Sequence, residues 1–200
     1  MERDGIMVKI LAFAGSGRID SFNKKLVGIA VSNLEDSASQ VTYIDLSDYP
    51  MPLFNQDLEA SEGMPEKARE FKTLLIEHSG FLIASPEYNG FFSPLLKNAL
   101  DWASRAEPDD EYPLSAFKGK SAALMAASPG GYGGMRGLVY LRLLLNNLGV
   151  LVLPDQVVVP NASEAFDDKG LLKDPKIHSA VSKQGIKLLE FCSRQAAGLD

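Results

Sequence analysis

Five short apolar runs alternate with segments of helical period from one end of this 200-residue chain to the other. The runs are IMVKILAFA (6–14), QVTYIDL (40–46), GFLIAS (80–85), KSAALMAAS (120–128) and VLVLPDQVVV (150–159), the last interrupted by Pro154. Strands that read as continuous apolar runs are buried on both faces. Strands separated by helices need crossover connections, and crossovers bring strands together in parallel. The pattern therefore predicts an α/β fold: a doubly wound, five-stranded parallel sheet with helices on both faces.

The segments between the runs carry helix signals. Leu26, Ala30 and Leu34 recur four residues apart in a segment from about Ser21 to Leu34. Phe71, Leu74, Leu75 and His78 share one stripe of PEKAREFKTLLIEH (65–78), with Pro65 suited to a first turn. SPLLKNALDWASRA (93–106) opens with Ser then Pro, good cap and first-turn chemistry. A long apolar helix is expected over 134–149, stopped by Gly149, and a last one from Pro175 to Ala196. The Pro- and acid-rich stretches 49–64 and 107–118 read as surface loops. No repeat and no linker divides the chain, so one domain is expected over 1–200.

The formal net charge of -6 argues against a nucleic-acid partner held by phosphate neutralisation. A single cysteine, Cys192, builds neither a disulfide framework nor a cysteine metal site, which suits a reducing compartment. The start, MERDGIMVKI, lacks a basic region followed by a long apolar stretch. No apolar run approaches the ~18 residues of a membrane span. A soluble, cytoplasmic protein with no membrane insertion is expected.

In such a sheet, ligands bind beyond the C-terminal strand ends, near the switch in strand order. The loops there are GSGRID (15–20), PEYNGFF (86–92) and PGGYG (129–133), all glycine-bearing. The first joins a strand to a helix start, where unpaired backbone N–H groups form an anion-binding concavity. Gly15 and Gly17 allow close approach. Ser16, Ser21 and Asn23 add neutral donors, and Arg18 adds a fixed positive charge. A Walker loop would need Gly-Lys-Ser/Thr, but this chain has Ile19-Asp20-Ser21. A dinucleotide fingerprint would need a third glycine where Asp20 stands; Asp45, at the end of the second strand, is a weak candidate for a ribose contact. A mononucleotide phosphate fits better than a pyrophosphate.

In the second loop Pro86 and Gly90 shape the backbone, Tyr88 offers an aromatic face and Asn89 an amide. In the third, Ser128, Gly130, Gly131 and Gly133 allow another close approach. A planar heteroaromatic ring with acceptors along its edge, such as flavin, could lie between these loops. Riboflavin monophosphate also carries the phosphate that the first loop suits.

GSGRIDSFNKKL, SPEYNGFFSPLLKNALDW and SPGGYGGMRG together resemble the three loops of the NADPH-dependent FMN reductase family, over roughly residues 6–160. That group includes quinone, chromate and azo-dye reductases with a flavodoxin-like fold. The resemblance implies FMN as cofactor. Ser16, Arg18, Ser21 and Asn23 would hold its phosphate. Pro86, Glu87, Tyr88, Asn89 and Gly90 would contact the isoalloxazine and ribityl parts, and Ser128, Gly130 and Gly131 would flank the ring. Gly17 departs from relatives that carry a larger residue there. The resemblance also implies a homodimer or homotetramer, with the helices from Ser93 and Gly134 as interface.

The implied reaction passes hydride from NADPH or NADH to the flavin and then to a small-molecule electron acceptor such as a quinone, azo compound, chromate or free flavin. It needs no protein nucleophile and no metal. His78 and His178, the only histidines, lack a serine partner for a triad, and His78 reads as structural. Glu87 reads equally as a solvent-facing carboxylate. Lys97, Asn98 and Asp101 either complete the pocket or join subunits, Trp102 is a core or interface anchor, and Arg105 and Arg136 are candidates for a 2′-phosphate contact. A flavodoxin-type electron carrier without its own nicotinamide site, and a regulatory nucleotide-binding module, are the competing readings.

Overall fold

A computed structural model describes residues 8–32, 34 and 41–198. Five strands form one parallel sheet: β1 (Ile10–Ala14), β2 (Val41–Asp45), β3 (Gly80–Ala84), β6 (Ser121–Ala127) and β7 (Leu151–Val159). Their order is β2-β1-β3-β6-β7, with every neighbouring pair parallel. This is the order of flavodoxin-like sheets, with its switch point between β1 and β3. Two further strands, β4 (Glu87–Tyr88) and β5 (Phe91–Phe92), make a small antiparallel hairpin after β3.

Alternate residues of each central strand enter opposite layers. Leu11, Phe13, Phe81, Ile83 and Leu124 pack on one side against α3 (Glu66–Glu77), α4 (Pro94–Ala103) and α5 (Met135–Asn147). Ile10, Ala12, Leu82, Ala123 and Met125 pack on the other against α1 (Phe22–Ser32), the short α6 (Ala162–Ala165) and α7 (Pro175–Ala196). The central strands β1, β3 and β6 are thus buried on both faces, as their composition requires, whereas the edge strands β2 and β7 are only partly buried. No helix among the described residues is long and apolar enough to cross a membrane.

The first strand was expected from Ile6; the structure begins it at Ile10, and residues 6–7 lie outside the described residues. The stretch 49–64 was expected to be loop throughout, yet it contains α2 (Gln56–Glu62). Asn55 caps that helix by accepting from the Asp57 amide, and Gly63 ends it at φ 78°. The stretch 107–118 is irregular but anchored. Phe117 is fully buried, and Asp110 accepts a 2.6 Å hydrogen bond from the buried Lys72 ammonium. Pro154 bulges β7 without ending it: the register shifts between Ala122 and Leu124 of β6. On this edge strand a proline costs no ladder bond on its outer side.

The helix that carries the first loop is held tightly from behind. A Cβ placed on Gly185 of α7 would lie 2.7 Å from the Ala30 carbonyl oxygen and 2.7 Å from the Leu34 side chain. Gly28, on the same helix α1, has nothing within 4 Å of its would-be Cβ. These two glycines therefore respond oppositely to substitution. Gly185→Val should destabilise by about 1–3 kcal/mol through overpacking. Gly28→Ala should stabilise by about 0.4–1 kcal/mol through backbone entropy and helix propensity. Urea denaturation followed by circular dichroism measures both, and a neutral Gly185→Val would refute the close approach.

Candidate functional site

The three loops meet at the C-terminal ends of β1, β3 and β6. A cavity of about 70 Å³ is lined by Ser16, Arg18, Ser21 and Asn23 from the first, Pro86, Glu87 and Tyr88 from the second, and Ser128 from the third. Phe22, Ala127 and Pro129 complete the lining, and the sequence reading did not name them. Asn89, Gly90, Gly130 and Gly131 lie outside it. Gly90 and Gly131 meet nothing within 4 Å of a would-be Cβ, so both have open space beside them.

The first loop leaves β1 at Gly15, whose amide donates to the Ala84 carbonyl at 2.8 Å. A Cβ on Gly15 would lie 3.0 Å from Leu96, so glycine is what allows the loop to sit against α4. Ser93, the N-cap of α4, donates its hydroxyl to the Gly15 carbonyl at 2.5 Å. Ser16 and Ser21 are buried at 4% and 3% exposure, and their oxygens accept long 3.4 Å bonds from the amides of Arg18 and Lys24. Each hydroxyl keeps its own hydrogen for another acceptor. Arg18 is exposed and makes no ion pair among the described residues.

Asn23 behaves differently from the expected free donor. Its Oδ1 accepts from the Ala127 amide at 2.9 Å, and its Nδ2 donates to the Ala127 carbonyl at 3.0 Å. One Nδ2 hydrogen is left over. Glu87 lines the cavity, but its carboxylate is buried rather than solvent-facing, and both oxygens are engaged by the start of α5. Oε1 accepts from Arg136 Nε and Nη2 at 2.8 and 2.5 Å, and Oε2 from the amides of Arg136 and Gly137 at 3.1 and 3.2 Å. The N-cap of α5 is Gly134, which offers no side-chain cap, and its first turn has no acidic residue. Glu87 supplies that cap and charge from a neighbouring loop. Arg136 is thereby paired, while its guanidinium also lies 5.0 Å from the Tyr132 ring centre.

The second loop is a two-residue hairpin. Asn89 at φ 54° and Gly90 at φ 85° are its central residues, which is the conformation that Asn-Gly favours. It holds Tyr88 and Phe91 about half exposed, with Phe91 stacked on Tyr140 of α5 at 4.0 Å.

Other candidates have structural partners. Asp45 accepts from Lys24 Nζ at 2.5 Å and from Ser47, so it is not free for a ribose. Burial works against its ionisation, but these hydrogen bonds prevail and hold its carboxyl below the usual range. Asn98 accepts from the Phe54 amide and, with Trp102, donates to the Pro52 carbonyl, pinning that loop. Lys97 pairs with Asp101 one turn away, and Arg105 with Glu59. His78 is buried between the Leu74 carbonyl and the Thr42 hydroxyl, and burial pushes its pKa down. Burial pushes the Cys192 thiol up to about 11, which leaves it an inert thiol.

The Glu87 cap is open to direct test. Glu87→Ala should lower stability by about 1–2 kcal/mol, because the α5 N-terminus loses its acceptor. Urea titration of variant and parent reads this out, and an unchanged midpoint would remove the carboxylate from the helix end.

The fit to FMN rests on this donor set: free hydroxyls, loop amides and one unpaired guanidinium, next to open glycines and a half-exposed tyrosine. The model of the NADPH-dependent FMN reductase family matches residues 8–164. An NAD(P)H-dependent FMN reductase of Pseudomonas aeruginosa is 34% identical over 193 residues, covering 96% of this chain and 98% of that protein. An NADPH:quinone oxidoreductase of Arabidopsis thaliana is 33% identical over 193 residues, covering 94% and 93%. Among solved structures, a flavoenzyme NAD(P)H:(acceptor) oxidoreductase of Paracoccus denitrificans superposes with a TM-score of 0.75 at 25% identity, over 94% of this chain and 98% of that one. Family model, relatives matched over nearly their whole length and fold agree with one another, and this chain belongs to the NADPH-dependent FMN reductase family, oxidoreductases that use FMN and NAD(P)H.

Proposed function

We propose that this chain is a quinone reductase in which the three-loop cavity at the β1/β3 switch point holds FMN by its phosphate end. The observation that carries the reading is the convergence of Ser16, Arg18 and Ser21 with Tyr88 and Ser128 around one cavity. When bound, FMN supplies two-electron transfer between the nicotinamide and the acceptor. Arg18 places a fixed positive charge where the phosphate sits, and the Ser16 and Ser21 hydroxyls donate to its oxygens. The α1 N-terminus adds its amides and dipole. The hairpin at Tyr88–Gly90 and the Gly130–Gly131 backbone border the ring. Neither histidine lines the cavity, so the protein holds and orients and supplies no imidazole acid or base. Quinone is favoured as acceptor because Tyr88 and Phe91 present apolar, aromatic surface to a flat partner.

The same surface supports a homodimer. Tyr132, Met135, Val139, Tyr140 and Leu143 are exposed along and just before α5, and Phe91 continues the patch. A stripe of this kind on a soluble protein marks an interaction surface. The helix from Ser93 was expected to share the interface. It exposes Pro94 and Lys97 and little apolar surface, so α5 and the hairpin are the better pair. A second copy on this face would stand beside Tyr88 and narrow access to the site.

Three measurements test this reading. Rapid anaerobic mixing of the yellow protein with NADPH or NADH should bleach absorbance near 450 nm, and added benzoquinone should restore it. A protein that stays oxidised would be an electron carrier instead. Arg18→Ala should weaken FMN binding by roughly ten- to a hundredfold, the worth of one charge-assisted hydrogen bond. Unchanged affinity would take Arg18 out of the phosphate site. Leu143→Glu should convert a dimer to a monomer in sedimentation, and an undisturbed dimer would move the interface away from α5.

A further inference from the structure

The first loop carries one acidic residue, Asp20, two positions from Arg18. A guanidinium offers a carboxylate and a phosphate the same paired N–H groups, so Asp20 is a ready competitor for the cation that the anion needs. Arg18 nevertheless makes no ion pair among the described residues, and Asp20 is held instead by Lys25 of α1 at 2.6 Å. The hydrogen bond and charge of Lys25 keep the Asp20 carboxyl below its usual range, and the Arg18 charge adds to the lowering, so the two loop residues lie within electrostatic reach of each other.

Lys25 is poorly placed for the helix it belongs to. It stands near the start of α1, at the positive end of the helix dipole, where a cation is unfavourable. What it has there is a built seat. Its Nζ lies 5.6 Å from the Phe22 ring centre and 5.9 Å from that of Phe166, within cation–π range of both. The two rings are stacked at 5.6 Å, with 10° between their planes. The Lys25 stem runs along Gly170, where a Cβ would lie 3.7 Å from it. Phe166 is buried and bridges to Leu172, and Asp167 closes the turn between them by accepting from the Lys169 and Leu171 amides. The lysine side chain is 30% exposed and the Asp20 side chain 75%, so the cation is the fixed partner and the carboxylate the mobile one. Both line a cleft on the outer side of α1 with Asp168, Lys169 and Gly170. Neither lines the three-loop cavity, whereas Arg18 and Phe22 do.

We propose that Lys25 is a positioning residue for the phosphate site: seated on Phe22 and Phe166, it holds the Asp20 carboxylate outside the cavity and so leaves Arg18 free for the anion. That role depends on the FMN phosphate lying beside Arg18, as proposed above. With Lys25 neutralised, Asp20 turns to Arg18 and also stands as a bare negative charge beside the phosphate. Both effects oppose binding. Lys25 itself touches no part of the cavity, so it acts through Asp20.

The readout is the ratio of FMN affinity to riboflavin affinity, because riboflavin has the ring without the phosphate. Flavin fluorescence gives both, on the full chain stripped of flavin and at low ionic strength. Lys25→Met should lower the ratio by roughly three- to fivefold, the scale of an exposed ion pair, and leave riboflavin affinity unchanged. The loss should shrink as salt is raised. Lys25→Arg should keep the parent ratio. Asp20→Asn added to Lys25→Met should restore it, which a merely structural role of Lys25 would not allow. A Lys25→Met variant with the parent ratio, or one that Asp20→Asn does not rescue, would overturn the proposal. Arg18→Ala separates it from the reading beneath it. A ratio lowered by Arg18→Ala but unmoved by Lys25→Met removes the role of Lys25 alone. A ratio unmoved by either takes the phosphate away from Arg18, and the role of Lys25 with it.

Discussion

On its β3 side, the end of β6 has no strand left to pair with. The ladder there reaches Ser85, whose amide donates to the Met125 carbonyl, and then Pro86 turns the chain away. The Ala127 amide and carbonyl come next, buried and facing a vacated position. Asn23 fills it, giving one acceptor and one donor from a single side chain at 3% exposure. An unpaired buried backbone group costs about 1–3 kcal/mol, so this carboxamide protects two groups at once. It also fixes α1, and with α1 the first loop, relative to the third. Gly15 and Ser93 fix the same loop relative to β3 and α4. The placement of the first and third loops follows from completing the sheet's own hydrogen bonding.

That completion decides where charge is left. Asp20, in the first loop itself, is paired with Lys25, Asp45 with Lys24, and Glu87 with Arg136 and the α5 amides. The carboxylates nearest the loops are thereby neutralised, and Arg18 remains unpaired above amides and hydroxyls. With the Asn23 carboxamide engaged by Ala127, a phosphate held as proposed would draw its charge compensation from Arg18 and the helix start. This is why the Arg18 substitution is the sharper probe of the phosphate reading, and why a substitution at Asn23 would report on the sheet.

The architecture was legible in the sequence because its signals are long and periodic. Continuous apolar runs with crossover helices leave few topologies, and the last helix begins and ends at the expected residues, Pro175 and Ala196. Shorter signals competed. Asn-Gly in EYNGFF is a strong hairpin signal, but it was read for its backbone freedom toward a ligand, and β4 and β5 went unseen. The helix α2 was masked by its Pro- and acid-rich surroundings, although Asn55 and Gly63 mark its ends. The partners of Asn23 and Glu87 lie 104 and 49–50 residues away. No local pattern shows that a side chain which looks free is engaged across such a distance. A weak clue did exist for Glu87: GGMRG opens a helix with no capping side chain of its own, so a cap had to come from elsewhere.

Glu87 also bears on how selectivity can arise. Its carboxylate joins the hairpin to the start of α5, and the Phe91–Tyr140 stack joins the same two elements one turn further on. The hairpin is thus bound to α5 at both ends and has no hinge of its own. A site built this way does not gain selectivity by closing a lid over its substrate. What remains variable is the surface that meets Tyr88 and Phe91 from outside. Under the dimer proposed above, that surface is a second α5, so the acceptor would be chosen by the width of a cleft between two copies. A flat quinone suits such a cleft, since it needs stacking area and few directional contacts. Acceptor range should therefore follow the α5 face more closely than the loops proposed to hold the phosphate.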